Sequence, residues 1–252
     1  MEKYLFVEFM KSRKVIKIIS GSLFIIFLTL FVFDDSFTQL TSYENLKPIV
    51  LQIIANSLSG NISQAELNQS YNIMLLACED KKSIEVPLTN IGNITIPCDQ
   101  INSTTPQNLD NLIASLAFDK IYYTEFSCDF INCIKENNYN VIFSSYGNKF
   151  FCNLQPYLLI ITIALGILFF FSLENLFEKL KSFGAALLFS SIPNVALNYL
   201  KDVIFSNFKG YSYAMLILNK LFSIMLSEFI IILIIGIILF LMGYFIERKK
   251  KK

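Results

Sequence analysis

Residues 229–246 read FIIILIIGIILFLMGYFI and hold no charge between Glu228 and Glu247. As a helix the run is about 27 Å long, enough to cross the roughly 30 Å hydrocarbon core of a bilayer. Directly behind it comes ERKKKK, a basic cluster of the kind that stays on the cytoplasmic side of a span. The rest of the chain is read outward from this anchor.

Two further runs have the same character. Residues 18–33 are uncharged and follow Lys3, Lys11, Arg13, Lys14 and Lys17. With Val15 and a snorkelling Lys17 the run reaches the length of a span. A cleaved signal peptide is the competing reading. The run is long for that, and Phe33-Asp34-Asp35 offers no small-residue cleavage site. The second run, YLLIITIALGILFFFSL, occupies 157–173 behind Pro156, a residue acceptable in the first turn of a helix. Residues 182–200 are also uncharged but contain Ser190, Ser191, Pro193, Asn194 and Asn198. Such a stretch can span, kinked at Pro193, or be re-entrant or interfacial. Parity selects the span. Both ends of the chain carry five cations, so both are placed inside and the number of crossings must be even.

The resulting organisation is a cytoplasmic segment 1–14, a first span 15–33, an extracytoplasmic domain 34–155, a second span 156–173 and a cytoplasmic loop 174–181. A third span 182–200, an outer loop 201–228 with an amphipathic helix, a last span 229–246 and a basic tail 247–252 complete it. The fold class expected is an all-α membrane protein. Its four transmembrane helices carry a mostly helical, disulfide-containing domain with a small β-hairpin between the first and second spans. Thirteen acids from Asp34 to Glu136, against six lysines from Lys47 to Lys149, suit an outer position for that domain.

Within it, helical stripes run through Leu46, Ile49, Val50, Ile53 and Ile54, broken only by Pro48, and through Leu109, Leu112, Ile113, Leu116 and Ala117 behind Thr105-Pro106. Ser63-Gln64-Ala65-Glu66 reads as a capping box before a run to Cys78. Residues 83–86 and 91–96 read as short strands about Thr89-Asn90. Cys78, Cys98, Cys128 and Cys133 lie here, and Cys152 lies where the domain meets the membrane. Four cysteines allow three pairings. Cys78–Cys98 and Cys128–Cys133 are favoured by short separations and an oxidising compartment, against free buried thiols. Cys152 is left to pair with another chain or to serve as a small apolar residue. Asn61, Asn68, Asn93 and Asn102 head N-x-S/T triplets and are candidate glycosylation acceptors.

The stretches IPCDQIN at 96–102 and LIASLAFDKIYYTEFSCDFINCI at 112–134 lead through a polar loop into a span. They resemble uncharacterised multipass membrane proteins of small-genome archaea, which share an IPCD-like turn, an IYY segment and a C-x4-C pair. The matching residues are Ile96-Pro97-Cys98-Asp99, Ile121-Tyr122-Tyr123, Cys128 and Cys133. The resemblance implies a compartment and a topology, and no activity. The layout of one large and one small outer loop is similar to that of claudin-like four-span proteins, whose Trp-bearing motif this chain lacks.

The chain has no His, which removes Ser-His-Asp triads, Cys-His dyads and His-ligated metals. No phosphate-binding glycine loop, nucleophile elbow or zincin motif occurs, and the cysteines do not form two CxxC knuckles. Asp34-Asp35 and Glu79-Asp80 read as solvated pairs at a membrane boundary and a turn. Tyr122, Tyr123 and Phe126 read as core packing before a binding ridge. The basic tail suits anionic headgroups but needs only to fix orientation. The expectation is therefore a non-enzymatic protein of the cell membrane without a cofactor or nucleic-acid partner. Apart from the bilayer, its partner is another envelope or cell-surface protein, or a second copy. A small-solute transporter or channel subunit is the alternative.

Overall fold

The computed structural model describes residues 2–58, 64–88, 92–205 and 212–250. In chain order the helices are α1 (Glu2–Thr41), α2 (Tyr43–Leu58) and α3 (Gln64–Ala77), followed by strands β1 (Ser83–Leu88) and β2 (Gly92–Pro97). Then come α4 (Cys98–Ser103), α5 (Pro106–Tyr122), α6 (Phe130–Lys135) and a 3-10 turn at Tyr139–Phe143. Three long helices close the chain: α7 (Ser145–Ser172), α8 (Leu176–Phe205) and α9 (Ser212–Lys250). It divides into two compact units, Met1–Leu40 with Phe151–Lys252, and Thr41–Phe150.

Among the described residues, four helices are long and apolar enough to cross a membrane: Val15–Thr41, Ser145–Ser172, Leu176–Lys201 and Met215–Lys249. Their boundaries differ from those read by hydropathy. α1 does not stop at Phe33 but runs on to Thr41. Pro156 is not in the first turn, because α7 begins at Ser145 and carries it inside. The stretch read as a separate amphipathic helix before the last span is continuous with it in α9 from Ser212 onward. One cause is common to all three. Charge marks where hydrocarbon ends, whereas helical hydrogen bonding continues into polar surroundings until a breaker intervenes. Similarly, α8 runs through Pro193 without ending.

Helices in lipid gain little from hiding apolar surface against one another, so close approach and hydrogen bonds hold them. α8 and α9 meet along glycines. A methyl group at Gly184 would lie 2.5 Å from the Phe240 nitrogen, and one at Gly243 2.6 Å from the Lys181 nitrogen. A methyl at Gly236 would lie 3.0 Å from the Leu187 Cβ. Only hydrogen fits at Gly184 and Gly243, and at Gly236 a methyl group would require Leu187 to give way. Ser190, Ser191 and Asn198 of α8 are buried and satisfied there. Asn198 Nδ2 donates to the Phe222 carbonyl on α9 at 2.6 Å, and Ser190 exchanges a hydrogen bond with Thr29 of α1 at 3.2 Å. Asn194 donates to the Ser190 carbonyl of its own helix at 2.7 Å. Phe24, Phe169, Leu173, Ala186 and Leu187 form the buried centre of this unit.

The Thr41–Phe150 unit has its own core. β1 and β2 pair antiparallel, with Ile84 opposite Ile96 and Val86 opposite Ile94. Alternation puts Ile94 and Ile96 inside, against Ile101 and Ala117. Gly92, at φ 81°, leads into β2 through a backbone region that favours glycine. The expected turn at Thr89-Asn90 lies outside the described residues, as does Ser63 of the expected capping box. Cys78, just past α3, and Cys98, at the start of α4, stand at disulfide distance with Cα atoms 5.5 Å apart. Cys128 and Cys133 do the same at 5.4 Å. A second cluster of Leu46, Phe118 and Tyr122 joins α2 to α5. α6 ends on Asn137 at φ 62°, after which the Asn138 N–H reaches back to the Cys133 carbonyl at 3.0 Å. That closure is a left-handed C-cap, a conformation Asn tolerates better than most residues.

Gly184→Leu is expected to lower the thermal midpoint of the detergent-solubilised protein, at an overpacking cost of about 1–3 kcal/mol. Phe189→Leu, at a position 72% exposed, should leave the midpoint in place. Equal midpoints for the two variants would mean that α8 and α9 do not touch at Gly184. Replacing Cys78 and Cys98 together by Ser is expected to cost about 3 kcal/mol, as for a loop of this length. It should speed protease cleavage within 41–150 while the long helices stay protected.

Candidate functional site

Two groups of side chains stand out, one in each unit. In the first unit they gather on α1, α7 and α9. Asp35 and Gln39 lie one turn apart on α1, and Gln39 Nε2 donates to Asp35 Oδ2 at 2.8 Å. The same amide nitrogen donates to Glu228 Oε1 of α9 at 2.9 Å. Gln155 of α7 donates to the other oxygen of Asp35. The Ser36 hydroxyl bonds the Val32 carbonyl at 2.8 Å and lies 3.5 Å from Glu228 Oε2. Two carboxyl groups from different helices thus converge on one amide. Next to them, Asp34 is buried, and its Oδ2 has no hydrogen-bond partner among the described residues.

This corrects the reading of Asp34-Asp35 as a solvated pair. Because α1 continues through them, Asp34 is 5% exposed and Asp35 is held by amides on both oxygens. Asp34, Asp35 and Glu228 lie just outside the uncharged runs 15–33 and 229–246, yet within helices of spanning length. Glu228 was read only as a boundary mark. Asp35 and Gln39, at i and i+4 on an uninterrupted helix, were the signal available for part of this cluster. The opposite ends of the same helices carry ion pairs. Lys17 of α1 pairs with Glu178 of α8 at 2.5 Å, and Lys181 of α8 with Glu247 of α9 at 3.2 Å.

In the Thr41–Phe150 unit, α2 and α5 carry an aromatic and charged group. Tyr43 packs against Phe118 at 5.5 Å and edge-on to Tyr122 at 5.4 Å. Its hydroxyl donates to Asp119 at 2.6 Å and accepts from Lys47 at 2.5 Å. Lys47 also reaches Asp119 directly at 3.2 Å. Burial pulls the Lys47 ammonium down, but the bonds from Tyr43 and Asp119 outweigh it and its pKa is raised above the usual lysine value. A raised pKa on a base adds stability that is fully present below the unfolded value of 10.5. The contribution is lost only as pH rises through the folded value, so the bridge holds throughout the neutral range. The three residues read together as a ridge or as core separate. Tyr122 is buried, with its hydroxyl on the Thr41 carbonyl; Phe126 is half-buried; Tyr123 is 61% exposed.

On α3, Ile73 and Leu76 stand 58% and 65% exposed, one turn apart. Both lie within five residues of Cys78, which is at disulfide distance from Cys98. Among the candidate glycosylation acceptors, Asn68, Asn93 and Asn102 are exposed and Asn61 lies outside the described residues. The Asn93 amide donates to Glu85 at 3.2 Å across the hairpin. Cys152 is free and exposed.

No family model matches the chain, and no curated protein and no solved structure matches it.

If the Gln39 amide ties α1 to α9, a double-mutant cycle of Gln39→Leu and Glu228→Leu should show a coupling of roughly 0.5–1 kcal/mol, as for other interhelical bonds in bilayers. Unfolding in mixed micelles measures it. Strictly additive effects would mean that the two side chains do not act together.

Proposed function

We propose that the protein is a non-enzymatic multipass protein of the cell membrane whose Thr41–Phe150 unit lies outside the cytoplasm and acts by binding. Its partner is another envelope or cell-surface protein, or a second copy. The observation that carries this reading is the Ile73–Leu76 face. Two large apolar side chains point outward beside a staple that fixes their helix, in a unit that already has two apolar clusters of its own. An ordered apolar face bordered by polar residues is what partner recognition uses. The cysteine pairs support an oxidising compartment for this unit. The resemblance around 96–102 and 112–134 agrees with such a layout and adds no activity.

For the orientation, with both termini in the cytoplasm, the support is charge and pairing. Five cations lie at each end of the chain. The Lys17–Glu178 and Lys181–Glu247 pairs gather the N-terminal half of α1, the start of α8 and the end of α9 at one level. A second reading, a small-solute transporter or channel subunit, is favoured by the cluster of Asp35, Gln39, Gln155 and Glu228, because ionisable groups within spanning helices often mark a transport path.

Tagged full-length protein, with Ile73 and Leu76 both changed to Asp, is the discriminating variant. It should insert normally and lose the specific partner recovered by the parent from native membranes, by about tenfold or more. Glu228→Gln should leave that recovery unchanged. Recovery retained by the first variant, with solute flux in reconstituted vesicles abolished by Glu228→Gln, would transfer the function to the helices.

A further inference from the structure

Between α1, α7 and α8 lies an apolar groove of about 340 Å³, lined by Phe24, Gly166, Ile167, Phe170, Phe171 and Phe183 among others. Its volume falls in the range of small-molecule sites, about 300–1,000 Å³. Gly166 forms part of its floor. A methyl group there would come within 3.1 Å of the Phe24 ring, so a larger residue would begin to fill the groove. Ile167 and Phe171 stand 53% and 74% exposed along it. The groove is directional. At the end of α7, the Lys179 ammonium lies 4.7 Å from the centre of the Phe170 ring and 5.6 Å from that of Phe171.

The charges around that end differ in what they face. Lys17 and Lys181 are matched by Glu178 and Glu247. Lys179 forms no salt bridge among the described residues and rests on aromatic faces instead. Its position on the first turn of α8, beside Glu178, puts it at the level where the helices meet polar surroundings. An apolar groove with, at one end, a cation that has no salt bridge among the described residues is complementary to one class of molecule. The acyl chain lies against phenylalanine and isoleucine, and the phosphate meets the ammonium.

We propose that this groove is a binding site for an anionic phospholipid, with an acyl chain along α7 and the headgroup phosphate on Lys179. The site rests on the four helices being membrane-spanning and is independent of what the Thr41–Phe150 unit binds. A single charge near an anionic surface is worth about 1 kcal/mol. Lys179 should therefore contribute about a fivefold preference for an anionic over a zwitterionic headgroup, and the groove should contribute affinity for both.

The test is native mass spectrometry of the detergent-solubilised full chain, titrated separately with phosphatidylglycerol and phosphatidylcholine of identical acyl chains. The parent should retain phosphatidylglycerol about fivefold better. Lys179→Gln should remove the preference by lowering phosphatidylglycerol retention about fivefold, and should lower phosphatidylcholine retention less, because the choline cation offsets that lipid's phosphate. Ile167→Trp, which fills the groove from an exposed position, should weaken both lipids. Ile163→Trp, at another exposed lining residue, replaces it if that variant does not insert. Equal retention of the two lipids by the parent would overturn the proposal. So would a preference that survives Lys179→Gln, or retention unaffected by filling the groove.

Discussion

Roughly 30 Å of hydrocarbon offers no hydrogen-bond partner, so a chain crossing it must settle its backbone within each helix and its charges at the two faces. That interval is written twice in this protein. Lys17 and Asp35 are 18 residues apart on α1, about 27 Å along a helix, and Glu228 and Glu247 are 19 apart on α9, about 28 Å. Each of these four side chains is bonded to a neighbouring helix. The polar groups that mark the limits of the apolar layer are therefore also the clips that set helix against helix. Lys17–Glu178 and Lys181–Glu247 act at one level, and the Gln39 and Gln155 amides at the other. Between the two levels, the helices have only shape and a few hydroxyls to hold them.

Shape is supplied by what is missing. Ile, Leu and Phe cover the helices, and the same residues on every face would leave a lipid neighbour as good as a helix neighbour. At Gly184, Gly236 and Gly243 the side chain is absent, and backbone meets backbone. The buried hydroxyls of Ser190 and Ser191 add hydrogen bonds to protein oxygens. The Thr41–Phe150 unit rests on the opposite balance. There, alternating strand residues and aromatic contacts build small apolar clusters, and the cysteine pairs restrict a chain with little core to spare.

Much of this was legible in residue order, for identifiable reasons. Long uncharged runs announce spanning helices because the penalty for a charge in hydrocarbon is large. The short stretches 83–86 and 91–96 about Thr89-Asn90 announced the hairpin, and Pro106 announced the start of α5. The ends of the long helices were not legible. Asp34 looks like a boundary, although helical hydrogen bonding has no reason to stop there, and α1 continues to Thr41. The cluster at Asp35 and Glu228 was hidden for a further reason. Its members are 193 positions apart, and each alone looks like an ordinary flank. The glycine contacts were equally invisible, because a glycine in an apolar run shows nothing of what lies opposite. Short α4 and α6 lack the length to show a periodicity.

Where the polar groups sit bears on what the long helices can do. A path for a polar solute needs groups at mid-depth that are free to coordinate it. At mid-depth, Thr29 bonds the Ile25 carbonyl and shares a bond with Ser190, Thr162 bonds the Leu158 carbonyl, and Ser191 bonds the Leu187 carbonyl. Asn194, the amide nearest the proline of α8, donates to its own helix. Each of these side chains already has a protein partner, and each partnership makes the bundle tighter. Asp35 and Glu228 stand at the ends of the uncharged runs, beside the buried Asp34. Asp35 and Glu228, bonded across helices by amides, are then the polar groups at which a transport role would first show.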